Sequence, residues 1–425
     1  MNRRMIFNAV GMMLRVEAAL LLLPAITSAI YRESEAFAFL SAAVLGYAIG
    51  ILPKLLYKPK THVIYAKEGF IIVAFSWIML SLIGALPFII SGEIPRLADA
   101  FFETVSGFTT TGASILTDVE AHSHGVLFWR SFTHWIGGMG IIVFVTAIIP
   151  NVSERPIHIL RAEMPGPTMG KLVPRIKDTA VILYLIYMVM TVIETVLLCI
   201  GGMPFFESLL HSFGTAGTGG FGLKGNSIAG YSPYIQWIIG IFMVLFGVNF
   251  NLYYLIIIKK LKTAVKSREL WFFFAVIGIS TLLITFNIRY LFGNFSETLR
   301  TAFFQVASII STTGYATADF NTWPQFSRYL ILLLMFFGGC AGSTAGGMKM
   351  SRIMMLFKLI RNETQRLIHP RAVTSLRFEG KTVDGATSRN LSNYFFIYFV
   401  CLAVIVLLLC GEPFSFLTNF SAAVS

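Results

Sequence analysis

Three threonine–glycine clusters recur in this chain about a hundred residues apart: Thr110-Thr111-Gly112, Thr218-Gly219-Gly220 and Thr312-Thr313-Gly314. Each closes a short amphipathic run that begins Ala100-Phe-Phe-Glu, Phe206-Glu-Ser-Leu or Ala302-Phe-Phe-Gln. A polar residue stands nine positions before a loop glycine each time: Glu103 before Gly112, His211 before Gly220, Gln305 before Gly314. In the second copy Gly219 can also take the place of Gly220, so its register stays open. Glycine allows the dihedrals that turn carbonyls towards an axis, and threonine adds a compact hydroxyl acceptor. Several such strands facing one axis can replace the water around a cation. A helix leading into each loop points its negative C-terminal end at the same place. Close packing of membrane helices also uses glycine and threonine, but three copies in matching positions favour an ion filter.

A second cluster has a different character. Gly338, Gly339, Gly342, Gly346 and Gly347 fall within ten residues, interleaved with Ser343 and Thr344 and followed by Lys349. Each glycine costs a helix about 1 kcal/mol relative to alanine, so the apolar stretch 325–360 breaks here. Irregular backbone at membrane depth survives where it is buried in protein or lines a water-filled path. The segment is therefore read as a gate below the filter loops, with a packing kink as the alternative. Lys349 is either a positive barrier inside the path or a lysine snorkelling to the interface.

The elements that position these clusters are membrane spans. The chain is 56% hydrophobic and 13% charged, with a mean hydropathy of +0.74. Apolar runs long enough to cross a bilayer lie at about 8–30, 35–56, 69–91, 124–150, 179–201, 233–258, 270–292 and 391–410. The net charge of +12 is not a nucleic-acid footprint, because the bases gather in short segments between apolar runs, at 151–177, 259–268 and 358–389. Segment 92–123 is acidic instead. By the positive-inside rule the basic loops and the N-terminus face the cytoplasm, and the Thr/Gly loops enter from outside.

The order that results is an N-terminal two-helix membrane domain (1–66) followed by pore repeats at 67–177, 178–268 and 269–389. The second span of the last of these is broken, and a fourth repeat opens at 390–425. The fold class is all-α multipass membrane protein, with span–pore helix–span units around a pseudo-fourfold pore. Because Phe416–Ser425 matches the start of the first short helix, the chain is expected to be a C-terminally truncated piece of a longer protein.

Four motifs together carry a resemblance: Phe102-Glu-Thr-Val-Ser-Gly-Phe-Thr-Thr-Thr-Gly112, Trp135-Ile-Gly-Gly-Met-Gly-Ile141, Ser311-Thr-Thr-Gly-Tyr315 and Gly342-Ser-Thr-Ala-Gly-Gly347. From about residue 95 onwards the chain resembles the Trk/Ktr/HKT superfamily of potassium transporters, and its two extra N-terminal spans resemble the TrkH type. The resemblance implies a homodimer in the bacterial cytoplasmic (inner) membrane, with the lipid bilayer as its surroundings. It implies potassium as substrate, with no cofactor, and a filter in which Gly112, Gly219 or Gly220, and Gly314 hold the conserved positions; the residue reading adds Thr110, Thr111, Thr218, Thr312 and Thr313 as potassium-binding residues. It also implies that residues 338–349 obstruct the path and that a cytosolic nucleotide-binding regulatory subunit of TrkA type controls them. Gly112 fits the potassium-selective pattern.

Five further residues have two readings each. Glu194, inside a span, is a functional acid or a partner for a neighbouring short helix. His211 braces its helix or relays protons. Glu103 and Asp118 gather cations at the outer mouth or are ordinary solvated acids. Arg130 reads as an interfacial anchor rather than a ligand. No phosphate-binding loop, zinc spacing or catalytic triad occurs in the chain, so no enzyme is expected. The alternatives are a potassium symporter coupled to sodium or protons and, in another class, a membrane enzyme or receptor.

Overall fold

The computed structural model describes residues 3–56, 66–140, 176–370, 376–379, 381–383 and 385–425. Most of the 151–177 basic segment and the end of the 124–150 run lie outside the described residues. The chain forms two compact units. One holds the described parts of 1–246 together with Thr313–Ala318, and the other holds Gly247–Thr312 and Asp319–Ser425.

The first unit opens with α1 (Arg3–Leu20) and α2 (Leu22–Ile30), which together make one span, and with α3 (Ala36–Leu56). Small residues let α1 and α3 touch: a Cβ on Gly11 would lie 2.7 Å from the Gly50 carbonyl oxygen, the usual device of membrane helix pairs. Next come α4 (Ala66–Ser91), the short α5 (Leu97–Phe108) and α6 (His124–Gly138). The second repeat supplies α7 (Ile176–Ile200), the short α8 (Phe205–Ala216) and α9 (Pro233–Phe246). A polar contact fastens the N-terminal pair to the first repeat. Glu33 accepts from the His124 and Gly125 amides at 2.8 and 3.1 Å, capping the positive start of α6 with a carboxylate. Tyr31 stacks on the His124 ring at 3.7 Å.

The second unit holds α10 (Phe250–Ile257), α11 (Leu261–Val265), α12 (Arg268–Ile288), α13 (Phe295–Ile310), α14 (Gln325–Leu334) and α15 (Met350–Ile368). A two-residue hairpin, β1 (Arg377–Phe378) with β2 (Lys381–Thr382), precedes α16 (Gly385–Leu409) and the short α17 (Phe416–Val424). Among the described residues, six helices are long and apolar enough to span a membrane, and α9 with α10 makes a seventh, broken candidate. Among the described residues α4, α7 and α12 are each long and apolar, each is followed by a short helix and a loop, and α16 with α17 begins that order again.

One expectation needs correction. The run 233–258 reads as a single span, yet it divides at Gly247–Asn249. Its backbone is engaged there: the Gly247 carbonyl accepts from Cys340 N at 2.9 Å, and Phe250 N donates to the Gly342 carbonyl at 3.0 Å. Asn249 then caps α10 by accepting from Asn251 N at 2.9 Å. The helix break and the glycine-rich segment are two sides of one contact.

Candidate filter and gate

The three short helices end alike. At the end of α5, Thr109 N donates to Val105 O at 2.8 Å and Thr111 N reaches back to Ser106 O at 2.9 Å. At the end of α8, Gly217 N bonds Phe213 O at 3.0 Å and Gly219 N bonds Gly214 O at 2.9 Å. The reach of five residues is the Schellman closure, which needs a left-handed residue just before its donor. Glycine normally fills that place. Here it is Thr110 (φ 55°), Thr218 (φ 54°) and Thr312 (φ 58°). A β-branched residue in this region costs on the order of 1–3 kcal/mol, and such strain collects at functional sites. Two residues later come Gly112 (φ 75°), Gly220 (φ 74°) and Gly314 (φ 88°). The repeated pattern settles the register of the second loop: Gly220 corresponds to Gly112 and Gly314, and Gly219 to Thr111 and Thr313.

Within the first unit the loops lie edge to edge. A Cβ on Gly112 would collide with the Gly219 carbonyl oxygen, and one on Gly220 with the Thr313 carbonyl oxygen. A Cβ on Gly314 would meet nothing within 4 Å. Gly112 and Gly220 are therefore required twice, by backbone sign and by space. Around the loops sits an aromatic wall: Phe221 stacks on His134 with centroids 4.0 Å apart, and Phe132 stacks on Trp135 at 5.7 Å.

One acid and one base read differently in the fold. Arg130 is not an interfacial anchor. It is buried and paired with buried Glu103, and its guanidinium also donates to Ser114 Oγ at 3.0 Å and to the Gly222 carbonyl at 3.3 Å. Its Cζ lies 3.9 Å from the centre of the Phe221 ring. Glu103 accepts from Ser114 Oγ and Ile115 N at 2.9 and 3.0 Å. The ion pair thus joins the first loop to the second behind the glycines, and Glu103 is neither a solvated acid nor a collector at the mouth. Asp118 is exposed and accepts from Glu120 N at 3.2 Å, as a solvated loop acid does. Glu194 is fully buried beside Thr215 of α8, the bracing position. His211 is buried between Tyr231 and Tyr315, at 3.1 and 3.4 Å. On the loop after α4, burial pushes the Glu93 carboxyl up, but hydrogen bonds and charge from His122 and Ser123 outweigh it and hold it below its usual value.

The glycine-rich segment of the second unit is an ordered loop, not slack chain. Gly338 N bonds Met348 O at 2.9 Å and Met350 N bonds Gly339 O at 3.1 Å, closing its neck. Gly342 (φ 77°) makes the turn. Gly346 N donates to Thr312 Oγ1 at 2.7 Å, so the segment touches the strained threonine of the third loop. Lys349 turns its ammonium onto the Ala345 carbonyl. Glu269, buried at the start of α12, accepts from Ala341 N at 2.7 Å and Ser351 N at 3.0 Å, clasping both arms at once. Spacing alone does not reveal Glu269, because its partners are backbone amides far along the chain.

The sequence profile of the TrkH family, described as a cation transport protein, matches residues 35–425. This chain belongs to the TrkH family. It is 36% identical over 434 residues to the Trk system potassium uptake protein TrkH of Salmonella typhimurium, covering 100% of this chain and 89% of that protein. To the Trk system potassium uptake protein TrkG of Escherichia coli it is 33% identical over 428 residues, covering 98% and 87%. The crystal structure of the potassium transporter TrkH from Vibrio parahaemolyticus superposes with a TM-score of 0.90 at 31% identity, covering 100% of this chain and 89% of that one. As a TrkH-family member the chain is a multipass transport protein and not an enzyme.

Proposed function

We propose that this protein carries potassium across the bacterial cytoplasmic membrane, its N-terminus on the cytoplasmic side, through a filter lined by the carbonyls and hydroxyls of its Thr/Gly loops. The observation that carries the reading is the repeated helix–Thr–x–Gly turn, with left-handed threonine and glycine in register three times and Gly112 and Gly220 seated on the next loop's carbonyl. Trk relatives named for potassium uptake supply the ion. Thr110 to Gly112, Thr218 to Gly220 and Thr312 to Gly314 replace the water that potassium leaves behind, and the short helices add negative potential. Residues 338–349 form the gate, with Glu269 holding it shut and Thr312 linking it to the filter. A homodimer regulated by a cytosolic nucleotide-binding subunit of TrkA type completes the working assembly.

Entry is driven by membrane potential, which is worth about 2.3 kcal/mol per charge per 100 mV. In proteoliposomes held inside-negative, potassium uptake is expected to rise with the imposed potential. Uptake that ignores voltage, or that requires a sodium or proton gradient, contradicts this reading.

A further inference from the structure

Behind the third loop, the structure places a line of polar side chains that no part of the filter chemistry uses. Tyr315 follows Gly314 and is fully buried. Its hydroxyl lies 3.3 Å from the His211 carbonyl, 3.3 Å from the Phe221 carbonyl and 3.4 Å from His211 Nδ1. Gly214 makes room for it: a Cβ there would strike the hydroxyl. His211 Nε2 lies 3.1 Å from the Tyr231 hydroxyl, which donates to Glu207 Oε2 at 2.6 Å. Lys224 sits 3.7 Å from Glu207 and 4.2 Å above the Tyr231 ring.

The protons along this line can be assigned from donor counting. Tyr231 has one hydroxyl proton and gives it to Glu207, so His211 Nε2 must carry a proton and donate to the Tyr231 oxygen. His211 Nδ1 is then the bare nitrogen and faces Tyr315 as an acceptor. The Tyr315 hydroxyl gives its proton to the His211 and Phe221 carbonyls, and from His211 Nε2 the donors run outwards through Tyr231 to the partly exposed Glu207 carboxylate.

We propose that Glu207, Tyr231 and His211 are positioning residues for ion selectivity: a strut that fixes Tyr315 and, through it, the Thr313–Gly314 backbone. The proposal rests on the filter reading above. The strut works with two backbone ties on the same side, Ala316 N to Ser227 Oγ at 3.2 Å and Ile228 N to Ala316 O at 3.0 Å. Together they set how far the Thr313 carbonyl stands from Gly220, and hence the width of the coordination cage. A cage that loosens accepts a second monovalent cation at the expense of the first.

The test is potassium and sodium uptake measured on the same proteoliposomes for Tyr231→Phe, Glu207→Ala, Glu207→Gln and Gly112→Ser. Tyr231→Phe keeps the ring and deletes one oxygen. Its potassium-over-sodium preference is expected to fall about fivefold, the net worth of one buried hydrogen bond. Glu207→Ala, nearer the surface, is expected to change the preference in the same direction, and Glu207→Gln, which keeps an acceptor oxygen, is expected to restore it. Wild-type preference in both Tyr231→Phe and Glu207→Ala, with Gly112→Ser altered, overturns the strut and leaves the filter standing. Wild-type preference in Gly112→Ser overturns both.

Discussion

At the scale of single residues, the Glu103–Arg130 pair decides what an acid near the outer mouth is for. Removing one partner of a buried pair strands the other charge, typically at a cost of about 3–5 kcal/mol. Glu103→Ala is therefore expected to lower the unfolding temperature of the purified protein in detergent well below that of Asp118→Ala. Equal unfolding temperatures would return Glu103 to the role of a solvated acid. Neither the pairing nor its depth was legible beforehand. Glu103 and Arg130 are 27 residues apart, on opposite sides of an acidic loop, and an arginine at the start of an apolar run usually marks an interface. The left-handed threonines were hidden for another reason. Residue type announces positive φ only when it is glycine or asparagine, and here the tertiary frame imposes it on Thr110, Thr218 and Thr312.

At the scale of elements, the short helices and the breaking of 325–360 could be read in advance, because both follow from local composition. Amphipathic runs too short to span must lie within the membrane's protein, and a cluster of glycines cannot stay helical. The break at Gly247–Asn249 could not be read. One glycine and one asparagine in an apolar run are compatible with a continuous helix, and the groups that compete for its backbone belong to Cys340 and Gly342. The ordered neck and the Glu269 clasp give the 338–349 segment one defined conformation, which the proposed gate takes as its closed form. Deleting Gly342 to Gly346 removes the turn and the Thr312 contact, so potassium flux is expected to rise at unchanged expression. Equal or lower flux from correctly inserted protein would identify the segment as packing material rather than a gate.

At the scale of the whole molecule, the fold is legible because it is repetition. Span length, loop charge and three copies of one turn specify a multipass membrane protein, and the solved TrkH structure from Vibrio parahaemolyticus matches its fold over the full chain. What repetition does not specify is how the walls are held together. That depends on the unlike residues around each copy: Arg130 with Glu103 between the first and second loops, and His211 with Tyr315 between the second and third. The central claim is that the loop glycines form a potassium-selective filter. It is tested most directly by the ratio of potassium to sodium flux under an imposed potential, compared between wild type and Gly112→Ser. At Gly112 a side chain meets both a positive φ and the Gly219 carbonyl, so the account predicts a strong preference for potassium in wild type that collapses in the variant. A ratio that is the same in both proteins, with both correctly inserted, would contradict it.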